Sequence, residues 1–181
     1  MKKTFLKNNK NIQFLIIGLG LIGGSVAKRL SKNGFEVLAI EKNKSHLNYA
    51  KKSKVIIGGL EKIDSTKKLF VIIALPPKIL FSNFDKYLDL FHKADFITDC
   101  TSVKGSLLNK IKKNNLESKF ILSHPIAGSE KSGFLNSNED LFREKISIIS
   151  KHKGLASSTL QKCEELWFEL GSKTHNLDPK S

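Results

Sequence analysis

Two side chains in this 181-residue sequence have the type and setting for proton and hydride chemistry. His124 follows the apolar run Phe120-Ile121-Leu122 and precedes Pro125, whose ring fixes the chain after it. Ser102 follows a second apolar stretch through Thr98. Taking hydride from a carbinol carbon requires a group to accept the hydroxyl proton. An imidazole titrates near neutrality and is the usual acceptor. From position alone, His124 also reads as a satisfied histidine in a turn. A hydride acceptor is needed too, and residues 14–25 offer a place for one. Phe14, Leu15, Ile16 and Ile17 run straight into Gly18, Gly20 and Gly23, at G-x-G-x-x-G spacing. The three glycines serve a tight turn, the approach of a pyrophosphate to bare backbone, and close packing of helix on strand. With Leu21 and Ile22 they form a dinucleotide loop, its phosphate facing the start of the following helix.

The elements that must hold these groups are strands and helices in alternation. A continuous apolar run buries both faces, as in a parallel sheet. After the glycine loop, Val26, Ala27 and Leu30 carry a helix that stops at Asn33-Gly34. The next strand runs over residues 36–40 and delivers Glu41, an acid suited to a ribose 2′-OH. Its charge repels a 2′-phosphate, which favours NAD over NADP, although Lys42 and Lys44 lie close by. Ser45 is positioned to cap a helix to about residue 53. A short strand is expected over residues 55–57 and another over residues 69–75. Leu75, Pro76 and Pro77 then wall the cofactor crevice beyond the strand end. One helix is expected over residues 79–91, a strand over 95–98, a helix after Gly105 and a strand over 120–122. Residues 126–140 form a long connection, of the kind that usually carries function. A strand over 146–149, a helix over 160–170 and a last strand over 173–177 close the chain. The fold class is α/β, a doubly wound, mostly parallel, Rossmann-like sheet. Residues 1–11 read as a polar lead-in and residues 12–181 as one domain.

Composition narrows the partners. The formal net charge is +14, yet only two of the 31 basic residues are arginine, Arg29 and Arg143. The lysines are spread along the whole chain, a habit of composition rather than a nucleic-acid face, which gathers Arg and aromatics. A specific nucleic-acid partner is not expected. Cys100 and Cys163 are far apart and lack metal-ligand spacing, so reduced thiols in a cytoplasmic protein are the plain reading. Lys2 and Lys3 before an apolar stretch imitate a secretion signal. The polar residues 7–13 interrupt it, and the stretch is too short to span a bilayer.

Two phrases resemble one family. Thr98-Asp99-Cys100-Thr101-Ser102-Val103-Lys104-Gly105 and Ser123-His124-Pro125-Ile126-Ala127-Gly128-Ser129-Glu130-Lys131-Ser132-Gly133 are similar to the prephenate/arogenate dehydrogenases. Leu141-Phe142 and residues 167–171 also look like that family. The resemblance covers about residues 12–179. It implies oxidative decarboxylation of prephenate or arogenate with NAD(P)⁺, in tyrosine synthesis. It makes His124 the catalytic histidine and Ser102 the serine that orients it and approaches the cofactor. Gly128, Ser129 and Glu130 would line the substrate. Asp99, Lys104 and Lys131 fit local structure better than a direct role. The family normally continues into a helical domain that forms a homodimer and supplies an arginine for the substrate carboxylate. These 181 residues hold no match to it, and Arg29 and Arg143 stand in the wrong places. The alternatives are a non-catalytic NAD-binding module or another small Rossmann reductase.

Overall fold

The computed structural model describes residue 6 and residues 11–103, 105–128 and 132–177. Thirteen elements follow in chain order: β1 Ile12–Ile17, α1 Leu21–Lys32, β2 Glu36–Ile40, α2 Lys44–Lys52, β3 Lys68–Ile73, α3 Pro77–Asn83, α4 Leu88–Lys93, β4 Phe96–Asp99, α5 Gly105–Lys113, β5 Phe120–Pro125, β6 Ile146–Ser150, α6 Ser157–Glu169 and β7 Lys173–Leu177. They build a seven-stranded sheet in the order β2-β1-β3-β4-β5-β6-β7, with every pairing parallel except β5 with β6. This is the doubly wound α/β sheet that the alternation predicts.

Two cores explain the continuous apolar runs. Successive strand residues point to opposite faces. Phe14, Ile16, Phe70 and Ile72 therefore enter the core under α1 and α6. Leu15, Ile17, Val71 and Ile73 enter the core under α3, α4 and α5. Every residue of β1 is buried. Edge-on aromatic contacts lock the first core, with Phe14 and Phe70 ring centres 5.6 Å apart. Each large apolar side chain buried this way contributes roughly 1.5–3 kcal/mol, so the strands that deliver the functional loops are the most firmly held parts of the chain. Among the described residues, no helix is long and apolar enough to cross a membrane.

Several local expectations differ from the structure. Residues 55–57 make no strand; the ladder shrinks to one bridge, Leu38 with Gly58. There the chain reverses, and Glu61 Oε1 accepts the Gly59 N–H at 3.0 Å. The α2 cap is Asn43, not Ser45: its side-chain oxygen accepts the His46 N–H at 3.2 Å. The single helix over residues 79–91 is three pieces, with a 3₁₀ turn Phe84–Tyr87 between α3 and α4. Asn83 Nδ2 donates to the Ile79 carbonyl at 2.8 Å and Ser82 Oγ to that of Lys78 at 2.9 Å. Such side-chain bonds compete with helix continuation, while Leu80, Phe84 and Phe91 keep one buried stripe. The Leu6 side chain, within the polar lead-in, is buried against the first core.

The described second half of the long connection is structural rather than open. Phe134 is fully buried. Lys28 Nζ donates to the Ser137 carbonyl at 2.8 Å, and the Asn138 N–H donates to Ser25 Oγ at 2.9 Å. Arg29 pairs with Asp140 at 3.0 Å and Lys32 with Glu139 at 2.7 Å. Both pairs are largely exposed and contribute little; the buried ring does the fixing. Phe134→Ala is expected to cost about 3–5 kcal/mol in urea unfolding. A loss under about 1 kcal/mol would show a loosely laid flap instead of core.

Candidate functional site

The site begins where β1 and β3 end side by side. The chain leaves β1 for β2 on one flank, while β3 lies on the other flank. That is the point where an open α/β sheet opens a ligand crevice. Gly18 turns the chain there at φ +97°. A Cβ on it would lie 2.7 Å from the Ala74 carbonyl oxygen. A Cβ on Gly23 would collide with the Gly18 carbonyl oxygen, so that glycine lets α1 press onto the loop. A Cβ on Gly20 would meet nothing within 4 Å. The bare backbone at Gly20 faces open space, as a pyrophosphate requires.

The electrostatics suit an anion. Gly20 caps α1 and no acid stands in its first turn. The N–H groups of Leu21, Ile22 and Gly23 open the helix, where backbone donors lack helical acceptors. Glu41 stands beside the loop. Its Oε2 accepts the Leu19 N–H at 2.6 Å and its Oε1 the Asn43 N–H at 2.7 Å. The carboxylate is thereby fixed between the loop and α2. Leu75 lies against Gly18, and Pro77 is the first residue of α3. Pro76 is exposed at the N-cap of α3.

The strand register carries the same rim across to His124. Ile17, Ile73, Asp99 and Leu122 stand in one row. Gly18, Ala74, Cys100 and Ser123 follow one step beyond it, and His124 two steps. Three strand spacings separate β1 from β5, roughly 14 Å. β5 does not stop at Leu122 as expected. It runs to Pro125 because antiparallel β6 pairs His124 with Ile148 and Pro125 with Ser147. The histidine is therefore held on a strand rather than in a free turn.

The imidazole is half-buried, and its Nδ1 lies 3.2 Å from the Cys100 carbonyl oxygen. A carbonyl can only accept, so Nδ1 is the donor of this bond, and in the neutral ring that leaves the lone pair on Nε2. Nε2 has no hydrogen-bond partner among the described residues. No hydrogen bond joins Ser102 to His124 there either; Ser102 is exposed on the turn after β4. The orienting bond expected from Ser102 comes instead from the backbone at Cys100. A pocket of about 410 Å³ opens at His124, bounded by Pro125, Ile126, Ala127, Gly128 and Lys145. Ser129, Glu130, Lys104 and Lys131 lie outside the described residues. Lys145 escaped the sequence reading because nothing in its neighbourhood separates it from the other lysines. Only the β5–β6 pairing brings it to the histidine. It has no ion-pair partner among the described residues. Burial pushes the Cys163 thiol up to about 12, so it stays protonated under the sheet.

A glycine loop at the switch point of a doubly wound sheet, with an acid beyond the second strand, defines a Rossmann-like nucleotide-binding domain. The chain belongs to the prephenate dehydrogenase family, as its nucleotide-binding domain: the family model of that description matches residues 26–176. That match begins after the glycine loop, so loop geometry and family membership are separate observations. A prephenate dehydrogenase of Lactococcus lactis is 28% identical over 170 residues, 91% of this chain and 48% of the relative. The crystal structure of prephenate dehydrogenase from Aquifex aeolicus superposes with a TM-score of 0.79 at 28% identity, covering 94% of this chain and 62% of that one. A second structure of the A. aeolicus enzyme, in complex with hydroxyphenyl propionate and NAD⁺, gives 0.78 at 27% identity over 92% of this chain and 60% of that one. The chain thus spans about half the length of the curated relative.

The glycines make separable demands. Gly20→Val is expected to remove nucleotide binding at a stability cost of only about 1 kcal/mol, set by its N-cap position, because a Cβ there meets nothing within 4 Å. Gly23→Ala is expected to lower both the melting temperature and binding. Thermal melts with NADH titrations check the pair. Retained binding by Gly20→Val would place the phosphate elsewhere.

Proposed function

We propose that this chain is the cofactor-binding and base-carrying part of a dehydrogenase that oxidatively decarboxylates prephenate or arogenate, with NAD⁺ as acceptor. The observation that carries the reading is His124 Nδ1 set against the Cys100 carbonyl, with the imidazole on the same rim as the open glycine loop. The A. aeolicus relative was crystallised with NAD⁺, and Glu41 beside the loop favours NAD over NADP. Cys100 and Cys163 are in no disulfide among the described residues, which fits a cytoplasmic setting.

Bound nicotinamide would supply the hydride acceptor. His124 Nε2 takes the proton of the ring hydroxyl as hydride leaves the same carbon. The ring carboxylate departs as carbon dioxide, its bonding pair completes the aromatic ring, and the imidazolium returns the proton to the phenolate oxygen. The sum is one hydride transferred and one carbon dioxide released, with no net proton at the histidine. Ser102, exposed on the neighbouring turn, would approach the cofactor. Gly128 bounds the substrate side, with Ser129 and Glu130 next in sequence. Lys145 opposes a substrate carboxylate in a pocket that otherwise presents mainly apolar side chains and backbone.

The test is NADH formation from NAD⁺ and prephenate, and from NAD⁺ and arogenate, by this polypeptide and by the longest form its coding sequence provides. In an active form, His124→Asn is expected to lower kcat about a hundredfold or more with NAD⁺ affinity nearly unchanged. Unaltered turnover would remove His124 from the chemistry. Lys145→Gln is expected to raise KM for the carboxylate substrate about tenfold, the worth of about 1.4 kcal/mol, with kcat little changed. NADH binding without turnover of either substrate in any form would favour a non-catalytic module.

A further inference from the structure

The turn between β4 and α5 holds a fully buried carboxylate that the proposed chemistry does not use. Asp99 is the last residue of β4 and has no exposed surface. Its Oδ2 accepts the Thr101 N–H at 3.0 Å and the Thr101 hydroxyl at 2.5 Å. Its Oδ1 accepts the Ser123 N–H at 3.1 Å, one residue before the histidine. Ser123 Oγ in turn donates to the Asp99 carbonyl at 2.7 Å and lies 2.8 Å from Thr98 Oγ1. The carboxylate therefore ties the residue after Cys100 and the residue before His124 to one rigid group. Between those two ties lies the Cys100 carbonyl that meets Nδ1.

We propose that Asp99 is a positioning residue: its side chain locks the turn that aims the Cys100 carbonyl at His124 Nδ1, and so leaves Nε2 as the proton acceptor. The mechanical consequence stands on geometry alone; its catalytic meaning rests on the reading of His124 as the base. The reason a carboxylate is used is the donor pattern. N–H and O–H donors meet both oxygens, and only an acceptor-only group satisfies all of them. An asparagine has one carbonyl oxygen and one amide nitrogen. Whichever way it is turned, an N–H₂ faces a donor, either at Ser123 or at Thr101. One tie must open, and the Cys100 carbonyl loses its aim. Thr101→Val removes the hydroxyl donor alone and leaves both backbone donors, so it loosens the turn less.

The tautomer of His124 is read directly by long-range ¹H–¹⁵N NMR of the imidazole in the neutral form, assigned by its disappearance in His124→Asn. No substrate or activity is needed. The wild-type chain is expected to show a single Nδ1–H tautomer. Asp99→Asn is expected to give a mixture in which the Nε2–H form becomes at least as populated, with the backbone spectrum otherwise dispersed as in the wild type. Thr101→Val is expected to give a smaller admixture. An unchanged Nδ1–H tautomer in a folded Asp99→Asn chain overturns the proposal. If Asp99→Asn does not fold, an unchanged tautomer in Thr101→Val overturns it instead. A wild-type chain in the Nε2–H form overturns the geometry on which it rests. Absence of dehydrogenase activity would count against the proposed function and leave this result to be judged by the tautomer alone.

Discussion

The in-register alignment of four parallel strand ends is the constraint on which the rest of the molecule depends. Ile17, Ile73, Asp99 and Leu122 stand in one row because their strands are buried on both faces. A one-residue slip in any of them would exchange the residues that face the two cores. Phe70 would then leave the aromatic contacts with Phe14 and Phe96. The same register that satisfies the cores fixes where the chain exits each strand. Three exits meet at one rim: the glycine turn, the Leu75-Pro76-Pro77 wall and the Asp99 turn. On β5 the strand itself runs past the row and carries His124 to the same rim. The site is a by-product of core packing, which is why its backbone can be exact while several of its side chains lie open.

The sequence made some of this legible because the informative signals are local. An apolar run, three glycines at fixed spacing and a following helix are readable within a dozen residues, and the structure gives each glycine a separate demand. The parallel sheet, α1, the approximate extent of α6, and β7 follow from the same local patterns. The misplacements have a common physical source. The end of β5, the absence of a strand after α2 and the break between α3 and α4 depend on partners remote in sequence or on side chains competing for backbone acceptors. Nothing within residues 120–125 announces that an antiparallel strand arriving some twenty residues later will extend the pairing through the histidine.

The site shows the same division. Gly18, Gly20, Gly23, Glu41 and His124 stand out in the sequence because their types are unusual for their places, and their roles in the site belong to the proposal. Lys145 does not, since a chain with 29 lysines among its 31 basic residues (two being arginine) offers no contrast by which one lysine can be singled out. The bond from His124 to the Cys100 carbonyl was hidden for a different reason. Backbone acceptors are available at every residue, and only tertiary geometry selects one. Ser102 drew attention because a hydroxyl is conspicuous in a sequence, while the group that meets the imidazole is a peptide carbonyl that no side-chain reading can see.

The antiparallel strand also sets where the histidine stands on the sheet. α1 and α6 cover one face of the sheet, and α3, α4 and α5 cover the other only as far as β5. On that second face β6 presents Ile146, which is about half exposed, and β7 is exposed along its whole length. His124 shares a face with Ile148 and Ile146, since directly paired residues point the same way. The proposed base thus stands at the boundary between covered and uncovered sheet. A hydride transfer profits from exclusion of water, and beyond the histidine Ile146 and β7 leave the sheet exposed. Among the described residues, the pocket at the histidine is bounded by β5, by residues 126–128 and by Lys145.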